Sequence, residues 1–168
     1  MPLLYEFKND KKYSMKTNKY PIEHIVPHDH PMILVDELLE YDEIKGLCKV
    51  TIHDKSNFYC SKIQGVPSYV ALEYMAQTIA AYANANRIDQ NHETTIGFLV
   101  SSRKFKVFTP QFDINSELFI AVEQLYVENG GLAAFDCKVE QNNTVIAQAK
   151  INIFQPNDPQ LYLAEPKK

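Results

Sequence analysis

Nothing in the 168-residue sequence marks a boundary between folding units. It lacks a linker rich in Pro, Gly or Ser and has no internal repeat. With 45% hydrophobic and 23% charged residues it can bury one sizeable core, so a single domain over residues 1–168 is expected. Cysteine is scarce. Cys48, Cys60 and Cys137 have neither metal nor redox spacing, an odd count argues against a disulfide framework, and Cys48 and Cys137 read as core residues. The first residues lack a basic region followed by a long apolar run, so neither a leader nor an anchor is expected. The most apolar run, residues 65–83, is interrupted by Ser68, Glu73, Gln77 and Thr78 and has no flanking belts, which argues against a membrane span. A soluble, cytoplasmic protein is expected. An excess of positive charge is missing too: a net charge of −4 gives no global reason to expect nucleic-acid binding.

What the sequence does contain is an almost wholly apolar helix opening at residues 65–77 with a carboxylate inside it. Pro67 sets the start, because its fixed φ and missing N–H suit only the first turn. Ala71, Ala76, Ala80, Ala81, Ala83 and Ala85 allow close packing around the axis. Glu73 and Gln77, four apart, share a face and form a polar seam. Glu is rarely buried unless paired, which favours a functional role for Glu73 over a carboxylate held by neighbouring backbone.

Around this helix the sequence reads as strands. Residues 32–41 are expected as a strand and 42–46 as a turn. Alternation then puts Cys48, Val50 and Ile52 inward and Lys49, Thr51 and His53 outward. After the helix, residues 94–107 form a long β-rich segment, 111–115 a connection and 117–127 a strand. Asn129-Gly130-Gly131 supplies the positive φ of a tight hairpin. Ala133, Phe135, Cys137 and Val139 face one side of the next strand. Residues 141–143 turn, and Val145, Ala147, Ala149, Ile151 and Ile153 alternate with polar residues in the last strand. The expected class is α+β, with an antiparallel sheet burying one long helix and a proline-containing tail from Gln155 over the surface.

Three motifs in consistent order resemble the bacterial β-hydroxyacyl-(acyl carrier protein) dehydratases. Ile25-Val26-Pro27-His28-Asp29-His30-Pro31-Met32-Ile33-Leu34-Val35-Asp36 is similar to their Leu-Pro-His-x-x-Pro-x-Leu-Leu-Val-Asp opening. Val66 to Gln77 is similar to their Met-Pro-Gly-Val-x-x-x-Glu-Ala-Met-Ala-Gln helix. Gly97-Phe98-Leu99, followed by Arg103-Lys104-Phe105-Lys106, is similar to their Gly-Phe-Leu strand and the basic stretch after it. The resemblance covers about residues 22–155, leaving an N-terminal extension at 1–21 and a tail at 156–168, and it implies the hot-dog fold, an antiparallel sheet wrapped around a central helix. One motif departs. Where the family has Gly-His-Phe-Pro-Gly with the catalytic histidine, this sequence has residues 58–65 with no histidine. Pro27-His28-Asp29-His30-Pro31 resembles instead a dehydratase-like branch, found with aryl-polyene-type biosynthesis, that lacks the usual histidine.

The resemblance implies dehydration of a β-hydroxyacyl thioester to the trans-2-enoyl thioester, with acyl carrier protein as partner, no cofactor, and a homodimer or a heterodimer with a related dehydratase. That chemistry needs a base for the α-proton, an acid for the departing hydroxide and a donor to the thioester oxygen. Glu73 matches the helix carboxylate and is expected as the acid. Ser68 and Tyr69, whose N–H groups are free after Pro67, match the oxyanion-stabilising turn, and Gln77, Gly97 and Phe98 fall among substrate-binding positions. The missing base is sought in His28 and His30, which fall on one side if their segment is extended. No third ligand accompanies His-x-His, so no metal is expected. Arg103, Lys104 and Lys106 form the basic cluster on which an acidic carrier would dock. Two further readings remain open: a non-catalytic partner of an active homologue, and an acyl thioesterase in which the helix carboxylate activates water.

Overall fold

The computed structural model describes residues 14–164. Nine strands and three helices follow in chain order: β1 (Lys16–Thr17), α1 (Ile22–Ile25), β2 (Glu37–Tyr41), β3 (Lys45–Thr51), β4 (Gly65–Pro67), α2 (Ala71–Asp89), β5 (Phe98–Val107), β6 (Gln111–Asp113), β7 (Glu117–Val127), β8 (Leu132–Gln141), β9 (Thr144–Phe154) and α3 (Pro159–Ala164). Seven strands form one antiparallel sheet in the order β1-β2-β3-β7-β8-β9-β5, and β4 pairs with β6 in a separate ladder. The helix α2 packs on one face of the sheet, against β2, β3, β7, β8 and β9. This is the hot-dog arrangement that the sequence motifs imply.

The alternations hold where a helix covers them. Cys48, Val50 and Ile52 on β3, Leu118, Ile120 and Val122 on β7, and Phe135, Cys137 and Val139 on β8 are all buried in one core with Tyr74, Met75, Ile79 and Tyr82 of α2. Burial pushes the Cys48 thiol up to about 12, which leaves it a neutral, small core side chain. Two glycines allow the close approaches. A Cβ on Gly46 would lie 2.5 Å from the Tyr82 Cβ, so its absence lets α2 press on β3. A Cβ on Gly65 would meet the Phe112 carbonyl oxygen at 2.4 Å, so β4 and β6 can pair only with glycine there.

Several sequence-based boundaries change: β3 takes in Lys45 and Gly46 of the expected turn, and β5 begins at Phe98, not at residue 94. The strand expected over residues 32–41 begins only at Glu37, because the backbone at 32–34 is bonded to a helix side chain instead of a strand. Residues 111–115, expected as a plain connection, include β6, which with β4 fixes the entry to the helix. Pro67 closes β4, a 3₁₀ turn covers Ser68–Val70, and α2 runs on from Ala71. The hairpin glycine is Gly131, at φ 93°, with the Glu128 N–H donating to the Leu132 carbonyl. Of the three prolines in the tail, Pro166 lies outside the described residues. No helix among the described residues is long and apolar enough to cross a membrane.

Candidate active site

The site begins with Gln77, which is fully buried. A buried amide must satisfy both its oxygen and its NH₂. Gln77 Oε1 accepts from the Leu34 N–H at 2.8 Å, and Nε2 donates to the Met32 carbonyl at 2.8 Å and to Glu73 Oε1 at 2.9 Å. One side chain therefore pins the 27–34 segment across the helix and orients the carboxylate one turn earlier. Asn84 repeats the device further along, donating to the Ile25 carbonyl and accepting from the Thr95 N–H.

That segment carries His28 to Glu73, with Nε2 3.6 Å from Oε1. Their side chains are 38% and 42% exposed, so the pair is held by protein on one side and open on the other. It opens on a cavity of about 470 Å³, within the range of small-molecule sites. One wall is a stripe of α2: Glu73, Ala76, Ala80, Ala83 and Arg87, at intervals of three and four residues. The lining also includes Gly97, just before β5, Leu99 of β5 and Ile153 of β9. The alanines of the helix thus divide: Ala71, Ala81 and Ala85 are buried in the core, whereas Ala76, Ala80 and Ala83 leave room for the cavity. Tyr82 also lines it; its hydroxyl bonds Gln124 Oε1 at 3.1 Å, and burial, ahead of the nearby Asp42 charge, raises the phenol well above its usual range.

The remaining sequence-predicted residues fall in distinct places. His30 diverges from His28: its Nε2 lies 3.4 Å from Glu23 Oε1 on α1, and the side chain is 66% exposed. The two histidines do not share one side, because residues 27–34 are not a strand. The Ser68 N–H is not free, since it donates to the Pro110 carbonyl at 3.2 Å. Tyr69 stands next to it at the opening turn with an exposed ring. Gln77, expected to touch substrate, has its amide engaged by the protein. Gly97 lines the cavity, whereas the Phe98 ring packs on Tyr162, 5.4 Å between centroids. Arg103, Lys104 and Lys106 are exposed on β5, which is an edge strand. Arg87, not foreseen from the sequence, completes the cavity stripe, and the recurrence 73, 76, 80, 83, 87 is the signal that would have found it.

The family model describing the ApeP dehydratase (ApeP-like) matches residues 20–164. Among curated proteins, the 3-hydroxyacyl-[acyl-carrier-protein] dehydratase FabZ of Bartonella quintana is 28% identical over 133 residues, 76% of this chain and 82% of that protein. Among solved structures, a chain of the dehydratase heterocomplex ApeI:P from Xenorhabdus doucetiae superposes with a TM-score of 0.81 at 23% identity, covering 89% of this chain and all of that one. The uncharacterized protein PH1136 from Pyrococcus horikoshii superposes with a TM-score of 0.62 at 12% identity, over 85% of this chain and 99% of its own.

Proposed function

Since the chain belongs to the ApeP-like dehydratase family, we propose that it eliminates water from a β-hydroxyacyl thioester carried on an acyl carrier protein, giving the trans-2-enoyl thioester. The observation that carries this reading is the His28–Glu73 pair in the lining of a cavity that follows the alanine stripe of α2. In this scheme the His28 imidazole takes the α-proton. The Glu73 carboxyl gives its proton to the β-hydroxyl, the C–O bond breaks, and water leaves as the C=C bond forms. The proton on His28 then returns to the Glu73 carboxylate across the 3.6 Å gap, so the pair is restored with no net charge gained. Gln77 Nε2 donates to Glu73 Oε1, the oxygen that His28 Nε2 also approaches, and the scheme gives Oε2 the proton transferred to substrate. Thioester-oxygen charge falls to the helix opening at Tyr69, because Ser68 is already bonded. The exposed cations of β5 supply the face for an acidic carrier.

A second reading is supported by the segment 58–65, which has no histidine, and by the ApeI:P relative, described as a dehydratase heterocomplex. Here the chain joins a related histidine-bearing dehydratase, the partner supplies the base, and Glu73 completes a site across the interface. Incubating a β-hydroxyacyl carrier protein with the purified chain, alone and mixed with such a homologue, separates the readings by mass spectrometry. Loss of one water with the chain alone supports the His28–Glu73 scheme, loss only in the mixture supports the shared site, and release of free carrier thiol overturns both in favour of thioester hydrolysis.

A further inference from the structure

The chain after β9 builds part of the cavity from residues that the catalytic scheme leaves unused. Leu99 and Ile153 are register partners, and both line the cavity. Their neighbours Phe98 and Phe154 are also register partners, and strand alternation sends them to the opposite face of the sheet. There the Tyr162 ring packs on both, with centroids 5.4 Å from each. Between the two faces the chain passes over the end of the sheet: the Gln155 N–H donates to the Gly131 carbonyl at 2.9 Å, and Pro156 and Asn157 line the cavity. The short helix α3 that bears Tyr162 is capped from within, by Asp158 Oδ1 accepting from the Leu161 N–H at 3.0 Å. Among its large apolar residues, Leu161 and Leu163 are 59% and 61% exposed and Tyr162 is 40% exposed. Tyr162 is thus the member of α3 whose ring contacts hold the strap to the sheet.

We propose that this C-terminal strap sets the longest acyl chain the cavity admits, and that Tyr162, outside the cavity, is the positioning residue for its wall. The inference rests on the cavity being an acyl site, as read above. Glu73 marks where the reacting carbons sit. Tyr82, nine residues and about 14 Å along α2, is bonded to Gln124 on β7, and β7 leads into the hairpin that Gln155 joins. The strap therefore meets the cavity on the side away from Glu73. The lining changes in the same direction, from Ala76 and Ala80 to Arg87, Asn129 and Asn157. An alkyl chain gains burial along the alanines and would desolvate polar groups beyond them, so its end belongs at the strap.

Calorimetric binding of a series of saturated acyl-pantetheines of increasing length to the full chain tests this without requiring turnover. In the wild type, affinity rises about fourfold per methylene until the chain meets the strap, then stops rising. Tyr162→Ala moves that break to longer chains, Tyr162→Phe keeps it, and Leu161→Ala, an exposed neighbour on the same helix, leaves it unchanged. Asn157→Trp, adding bulk to the wall itself, moves the break to shorter chains and keeps the test open should Tyr162→Ala unfold. An unmoved break in Tyr162→Ala or Asn157→Trp overturns the role of the strap. Absence of any length dependence in the wild type overturns the acyl-site reading instead.

Discussion

Gln77 ties the candidate site to the fold, because its one amide satisfies a backbone N–H, a backbone carbonyl and the Glu73 carboxylate at once. Gln77→Ala leaves the Leu34 N–H and the Met32 carbonyl without that partner. Urea denaturation should show a loss of about 1–3 kcal/mol for each buried group so orphaned. The same variant should lower turnover, since Glu73 and the His28 segment are no longer held in register. His30→Ala, in contrast, should leave dehydration within about twofold of wild type, within the spread of ordinary surface changes of about 0.5 kcal/mol, because that side chain faces Glu23. A large loss of activity in His30→Ala would move the base from His28 to His30. The Glu73–Gln77 bond was legible in the sequence, since four-residue spacing on a helix dictates adjacency. The divergence of His28 and His30 was not, because alternation predicts facing only where the backbone is a strand, and here a buried amide captures that backbone.

At the level of elements, the strands that face α2 were legible because their alternation is enforced by burial, and β7 occupies the expected residues. The short elements were not. The strand β6 has three residues and β1 has two, too few for a periodicity to register, and each is held by long-range partners that no local pattern encodes. β1 is secured through the end of α2, where Lys16 Nζ, the Tyr20 hydroxyl at 2.5 Å and the Tyr41 hydroxyl at 2.8 Å converge on Asp89. Burial there works to raise the Asp89 pKa, but the hydrogen bonds from Lys16, Tyr20 and Tyr41 outweigh it and hold the carboxyl down at about 2, against an ordinary 3.8. A carboxyl depressed in the folded state stabilises the fold above its unfolded pKa, and that contribution is lost as pH falls through the folded value. Thermal melts of wild type and Asp89→Asn should therefore differ most at neutral pH and converge as pH falls from about 4 toward about 2. A constant difference across that window would show that the cluster contributes through packing alone. Gly46→Ala should also destabilise, by about 1–3 kcal/mol, because its Cβ would press into Tyr82 and force α2 off β3.

For the whole molecule, the sequence motifs placed the central helix and its carboxylate, while the cavity depends on contacts among α2, β5, β9 and the tail that lie far apart in the chain. In the proposed reaction the exposed cations Arg103, Lys104 and Lys106 on the β5 edge would be the face that meets an acidic carrier protein. Their attraction is screened by salt, so carrier binding should weaken as ionic strength rises, and charge reversal at Arg103 or Lys104 should slow the on-rate more than it alters the off-rate. Stopped-flow binding that is indifferent to salt would assign the cluster to ordinary surface. The dehydratase reading itself turns on Glu73, whichever chain supplies the base. Single-turnover formation of enoyl thioester from a β-hydroxyacyl carrier protein, comparing wild type with Glu73→Gln under the condition that supports activity, measures that role directly. The amide preserves shape and removes the transferable proton, so the rate should fall by at least about a hundredfold while carrier affinity holds. An unchanged rate would contradict proton transfer by Glu73.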